Sequence, residues 1–335
     1  MRPLPFELFT YGATLTAVAY LRWRGLRMDW RTVEFMAGPM LAQLPRALAI
    51  GLVLHAVVLA LRREWPGEWL RAVATPASLV VWLRVWLATM AMTYTYSWLK
   101  VSVPLLRWSV LDPTLWQLDR FVHFGLSPSI FAAELVAGTP VAGWLDRWYA
   151  LWLTTVTGML AYVFLHPRLD LRRHFAFACA ALWITGAALY FALPAIGPCY
   201  AFEELFREVR TEMPRAAAAQ ATLWENYARL VAGRDGSLKQ FNPYLGVGAL
   251  PSLHVGAQVL FALWARRHAR RLFVPLAAAA ALTFLASLAS GWHYAVDGYL
   301  GALLAIAALA AADRCEPLAE ANRGAVAAPP RASST

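Results

Sequence analysis

Charge is what this chain has least of. Of its 335 residues only 15% are Asp, Glu, Lys or Arg, where soluble domains carry about 25%. Hydrophobic residues make up 60% and recur along most of the chain, which excludes a soluble domain with a single apolar patch. Cysteine is nearly as sparse. Cys179, Cys199 and Cys315 stand far apart with no CxxC or metal-ligand spacing, so no disulfide framework is expected. Only arginines, and no small-residue cleavage site, follow the apolar stretch 6–21, so that stretch does not read as a cleavable signal. Internal repeats are missing, and so is any carboxylate cluster that would hold a metal ion. The net charge of +10 would point to nucleic acid in a soluble chain, but here arginine clusters in short loops account for it, and no nucleic-acid partner is expected.

What the chain does contain is a series of apolar runs of bilayer length. Seven stand out, at roughly 47–61, 78–98, 147–165, 174–196, 251–265, 272–290 and 294–312, and residues 6–21 form an eighth span or an interfacial helix. The fold class expected is all-α: a multi-pass transmembrane helical bundle. Residues 1–75 form N-terminal membrane or interfacial helices, 76–312 the main membrane domain, and 313–335 a disordered cytoplasmic tail of small residues and proline. Arginine-rich loops at Arg62–Arg71, Pro167–Arg173 and Ala265–Arg271 place one face in the cytoplasm. The Arg22–Arg31 cluster is expected on that face too, which conflicts with both 6–21 and 47–61 crossing. The long segments 100–146 and 199–250 then lie outside, the latter with six basic and six acidic side chains.

Two short motifs fall at that outer face. Residues 290–301, SGWHYAVDGYLG, place His293 and Asp297 four apart at the start of the last span, on one helical face. Asp297 can then accept from one imidazole nitrogen and leave the other basic and outward, as a nucleophile or base requires. Ionisable groups at a membrane span cost several kcal/mol, so such a pair is a functional hypothesis. The second motif, GVGALPSLHVG at 246–256, opens a span with Pro251, a capping Ser252 and then His254. Free N–H groups at a helix start favour an anion such as phosphate. Other readings of the trio are a proton- or ion-handling transporter, a zinc site built from His254, His293 and Asp297, a vanadate-binding haloperoxidase-like pocket, and a non-catalytic scaffold.

Pro251-Ser252-x-His254 followed by Gly291-x-His293-Tyr294-x-x-Asp297-x-x-x-Gly301 resembles the type 2 phosphatidic acid phosphatase (PAP2) superfamily, in particular its inositol phosphorylceramide synthase-like branch. The resemblance covers residues 78–312 in order of spans and is specific over about 30 positions around the motifs. It implies a six-helix core with extra N-terminal helices, His293 as the nucleophile, Asp297 as its orienting partner and His254 as general acid and base. It also implies a membrane-lipid phosphoester substrate, a hydroxyl acceptor (water, inositol or a lipid alcohol) and no cofactor or metal. The protein would lie in the plasma (inner) membrane with its active site on the extracytoplasmic face. The family's Ser-Arg before the nucleophile reads Ala286-Ser287 here, and its KxxxxxxRP motif is replaced by Pro194-Ala-Ile-Gly-Pro198 at the corresponding span end. An echo of that spacing, Lys100-VSVPLL-Arg107, comes one outer loop earlier. Lys100, Arg107, Lys239 and Ser252 are therefore the candidate phosphate-binding residues.

Overall fold

The computed structural model describes residues 2–26, 30–106, 109–232 and 242–319, without the side chains of 30–32 and 62. The described residues are helical throughout, with no strand among them. Four helices open the chain: α1 (Pro5–Trp23), α2 (Trp30–Arg62), α3 (Pro66–Val73) and α4 (Pro76–Leu106). Three short ones follow, α5 (Asp112–Val122), α6 (Pro128–Val136) and α7 (Pro140–Ala150), and then α8 (Trp152–Phe164) and α9 (Leu169–Ala192). Another short set comprises α10 (Pro198–Ala201), α11 (Arg207–Glu212) and the longer α12 (Pro214–Ala232). The chain closes with α13 (Leu253–His268), α14 (Phe273–Ala289) and α15 (Ala295–Cys315). Many of these begin with proline in the first turn, where its missing N–H costs nothing.

Five segments are long and apolar enough to cross a bilayer: 33–61, 76–106, 169–192, 270–289 and 295–315. The shorter apolar α8 and α13 pack among them, and α4, α8, α9, α13, α14 and α15 make a six-helix core. The protein is a multi-pass helical membrane bundle. Its last span runs on to Cys315, past the expected end at 312, and residues 320–335 of the expected tail lie outside the described residues.

The bundle has two unlike ends. One carries His254 and His293 and is capped by α5–α7 and α10–α12. The other carries the arginine loops. α1 runs the full length between them: Phe6 N–H donates to Glu316 just past α15, the Thr14 and Thr95 hydroxyls meet at 2.7 Å, and Tyr20 packs edge-on against Phe191 near the end of α9. Its buried Phe6, Ala17 and Leu21 belong to the main core. α2 then returns alongside α8. A Cβ on Gly51 would come within 2.8 Å of the Ala161 carbonyl, and His55 Nε2 lies 2.8 Å from the Tyr162 carbonyl.

Both N-terminal helices therefore run the length of the bundle, and Arg22 and Arg24 sit at the histidine end, opposite the other arginine loops. This corrects the expectation that the first cluster shares their side. The reason is geometric: α1 starts beside Glu316 at the arginine-loop end and carries the cluster after it to the opposite end. Arg27 lies outside the described residues.

Candidate active site

The histidine end is assembled by glycines. α13 and α15 cross where Gly256 and Gly301 face each other: a Cβ on Gly256 would come 2.8 Å from the Gly301 carbonyl, and one on Gly301 would collide with the Ser252 carbonyl. Such close backbone approach needs residues without side chains. It lets the Ser252 N–H donate to the Asp297 carbonyl at 2.9 Å, which fixes the first turn of α13 on the first turn of α15. Gly298 is filled by Phe284 of α14, so it serves helix packing rather than opening headgroup space.

That crossing brings the two histidines together. His254 Nδ1 lies 3.5 Å from His293 Nε2, with ring centroids 5.8 Å apart. His293 Nδ1 is 3.3 Å from Asp297 Oδ2, which also accepts from the Tyr294 N–H at 2.9 Å. With Nδ1 turned to the carboxylate, His293 presents Nε2. Asp297 is fully buried and His293 only 3% exposed, so the pair is shielded from bulk solvent.

Two side chains that sequence reasoning missed hold His254. The Tyr149 hydroxyl is 3.0 Å from Nδ1, and Trp152 packs edge-on at 4.3 Å between centroids. Both come from the α7–α8 junction, and nothing in their local sequence marks them.

The turn before α15 is braced from α5. Asp112 accepts from the backbone N–H groups of Ile196 and Gly197 at 2.9 and 2.8 Å and from the Tyr294 hydroxyl at 3.0 Å. Burial pushes its carboxyl up, while these donors oppose the rise. Asp119 accepts from the N–H groups of Ala295 and Val296 at 3.2 and 3.0 Å, so it caps α15 from another helix. The proline-rich turn 194–198 thus forms part of this brace. Gly197, at φ +98°, sits so close to the Trp292 carbonyl that a Cβ would come within 2.6 Å of it. The Cys199 N–H donates to the Gly291 carbonyl at 2.8 Å.

The candidate phosphate-binding residues fare differently. Ser252 is fully buried, its Oγ accepts from the Val255 N–H at 3.4 Å, and it does not line the cavity described below. Lys100 is buried within α4. Its Nζ donates to the Tyr96 hydroxyl at 3.1 Å and stands 5.2 Å from the centre of the Tyr190 ring. Among the described residues no carboxylate pairs with it. The glycines of GVG make room for its stem: a Cβ on Gly246 would come 2.8 Å from Lys100 Cγ, and one on Gly248 3.3 Å from Cε. Arg107 and Lys239 lie outside the described residues. Lys100, Tyr149, His254 and His293 all line one cavity of ≈ 810 Å³ that descends into the bundle.

The sequence profile of the PAP2 superfamily matches residues 113–311, more than half of the chain. The chain belongs to the PAP2 superfamily. The matched region takes in nearly all of α5 and everything from there through most of α15, including both histidines and Asp297. Lys100 and the helices α1–α4 precede it. No curated protein and no solved structure matches the chain. Membership in the PAP2 superfamily, together with the apolar helices, makes this a membrane protein of phosphoesterase type, for which a lipid phosphoester is a fitting substrate.

Proposed function

We propose that the protein is an integral-membrane lipid phosphotransferase or lipid phosphate phosphatase that works through a phosphohistidine. The observation that carries this reading is the convergence of His254, His293 and Lys100, which meets no carboxylate among the described residues, on one cavity, with His293 Nδ1 directed to a buried Asp297. His293 Nε2 attacks phosphorus and the bond to the leaving oxygen breaks. His254 gives that oxygen a proton and then takes one from the acceptor hydroxyl, whose oxygen displaces His293 from phosphorus. Lys100 offsets the negative charge on the phosphoryl oxygens, the part the missing motif arginine would take.

Nitrogens 3.5 Å apart leave no space for a phosphorus between them, because an attacking atom alone sits about 3–3.5 Å from its target before reaction. Substrate therefore enters beside the pair, from the cavity, and separates the rings as it binds. No step needs a metal: Asp297 Oδ2 is engaged with His293 Nδ1 and the Tyr294 N–H, which supports an orienting role over a ligand role. The PSLH and GxHYxxD motifs and the proline-rich turn favour the synthase-like branch, hence an alcohol acceptor such as inositol or a lipid alcohol over water. The three agreeing arginine loops favour an extracytoplasmic site in the inner membrane.

The test is to trap the phosphoenzyme with lipid labelled at phosphorus, then offer water or an alcohol. Label on His293 that passes to the alcohol is expected. Label that survives in His293→Ala overturns the mechanism.

A further inference from the structure

The cavity is far deeper than a headgroup requires. From Lys100 it descends along α4 to Trp82, eighteen residues or about 27 Å of helix at 1.5 Å per residue. That is close to the ~30 Å hydrocarbon core of a bilayer and nearly twice one leaflet. Its lining passes Phe261 of α13 and Cys179 of α9 partway down and ends at Trp82 of α4 and at Phe164 and Leu165 where α8 ends. Polar residues on the way down are turned apolar: the hydroxyls of Thr89 and Thr93 donate to the carbonyls of Val85 and Thr89 at 2.9 Å, which leaves their methyl groups as the free surface. Over that depth the lining is mostly aliphatic and aromatic on the α2, α4 and α8 sides, as a hydrocarbon chain requires.

One wall of this slot is α2, which precedes the region matched by the family. Pro39, Leu44, Ala47 and Leu48 face the cavity, while Leu52, Val53 and Val57 are exposed on the lipid side. The wall is fastened at both ends. Near the arginine loops Gly51 is pressed on α8, and at the histidine end the Tyr244 hydroxyl donates to the Met36 carbonyl at 2.6 Å. Between these anchors the helix contains Pro39 and Pro45, each of which removes a backbone hydrogen bond.

We propose that the slot between α2, α4 and α8 takes a hydrocarbon chain of the lipid substrate, one longer than a leaflet is deep, and that α2 separates this chain from the surrounding bilayer. The proposal rests on the reading of the histidine end as a lipid phosphoester site. It adds that substrates are selected by chain length and that the selecting wall comes from outside the family's shared region. A chain held inside the bundle also sets the phosphate at a fixed height beside Lys100 and the histidines, which is the positioning that an in-line displacement needs.

The experiment uses full-length protein in lipid nanodiscs and single-chain alkyl phosphates, short and long, each with a photoactivatable diazirine on the terminal carbon. Cross-links mapped by mass spectrometry are expected at the slot floor, at Trp82, Phe164 or Leu165, for the long probe. Labelling confined to the outward residues Leu52, Val53 and Val57 would overturn the proposal. Cross-linking requires no turnover, so a protein inactive on every phosphoester still reports on the chain, and an active one with outward labels loses only this inference. Turnover supplies the second readout. Ala47→Trp, which fills the slot midway, is expected to lower the ratio of long-chain to short-chain kcat/KM at least tenfold, whereas Val53→Trp on the lipid side leaves that ratio unchanged. An unchanged ratio in a folded Ala47→Trp protein, with long-probe labels still on the floor, would also overturn it.

Discussion

Each end of the bundle pairs a histidine with an aspartate. At one end His293 meets Asp297; at the other, the Nε2 of fully buried His174 donates to Asp313 at 2.9 Å, with His268 close by. The resemblance stops there. Asp313 is 45% exposed and shares its other oxygen with Arg267 at 2.8 Å, so its charge is already balanced and screened by water. Asp297 is fully buried, and among the described residues it meets no arginine and has an imidazole and a backbone N–H on Oδ2. His174 and Asp313 line no part of the cavity, whereas His293 does. A histidine–carboxylate pair is thus common structural material in this protein. What distinguishes the pair proposed to react is a second imidazole within 3.5 Å, a lysine that no carboxylate meets among the described residues, and space for a substrate.

The contrast breaks most sharply under substitution of the two histidines. His293→Ala removes the nucleophile and is expected to lower turnover of a lipid phosphate by at least ~10⁴-fold and to abolish the labelled phosphoenzyme. His174→Ala should leave turnover near wild type while lowering the melting temperature in detergent. Equal losses in the two variants would show that the ends do not differ as described. His254→Ala should cost about 10²–10⁴-fold on an alkyl phosphate, the usual worth of general acid–base help. Part of that loss should return with a nitrophenyl leaving group, which departs without a proton. No recovery would remove His254 from the role of acid.

Lys100 sharpens the comparison on the side of charge. Both oxygens of Asp313 are met by the basic end's own groups, whereas Lys100 stands among tyrosines with no carboxylate to neutralise it. Lys100→Met is expected to reduce kcat/KM by about 10²-fold, the scale for losing one group that stabilises transition-state charge. Gly246→Val should reproduce much of this by pushing the lysine stem aside. Normal kinetics in Lys100→Met would remove Lys100 from phosphate binding and leave Arg215 as the described cation lining the cavity.

Much of this was legible in the sequence, and what was not has a common cause. Span-length apolar runs and the spacing of His293 and Asp297 are local patterns, readable within one helix turn or one bilayer thickness. The arginine loops put His254 and His293 at one end of the bundle, but their contact was not readable, because the Gly256–Gly301 crossing that enforces it joins residues of separate helices. Lys100 was a candidate by spacing, but its fit with Gly246 and Gly248 links positions more than a hundred residues apart. Tyr149, Asp112 and Asp119 carried no signal at all, since they act through contacts made only in the folded bundle. The first arginine cluster misled because its side follows from where α1 starts, beside Glu316, a contact between residues far apart in the chain.

The smallest expected effect concerns the brace on α15. The first N–H groups of a helix have no partner within it, and those of Ala295 and Val296 are met by Asp119 from α5. Burial raises the Asp119 carboxyl, and the same backbone donors, with His123, act against that rise. Asp119→Asn keeps one oxygen but turns an amide N–H toward a backbone donor, at an expected cost of about 1 kcal/mol, the usual value of a cap. His293 stands two residues before Ala295, so the error enters the orientation of the nucleophile and not the fit of the lipid. A few-fold fall in kcat with KM unchanged is therefore expected, alongside a lower melting temperature. The matching change at the other end, Asp313→Asn, should move only the melting temperature. A rise in KM alone for Asp119→Asn would make α5 a substrate-binding element instead of a brace, because a helix that only positions the nucleophile has no means of weakening substrate binding.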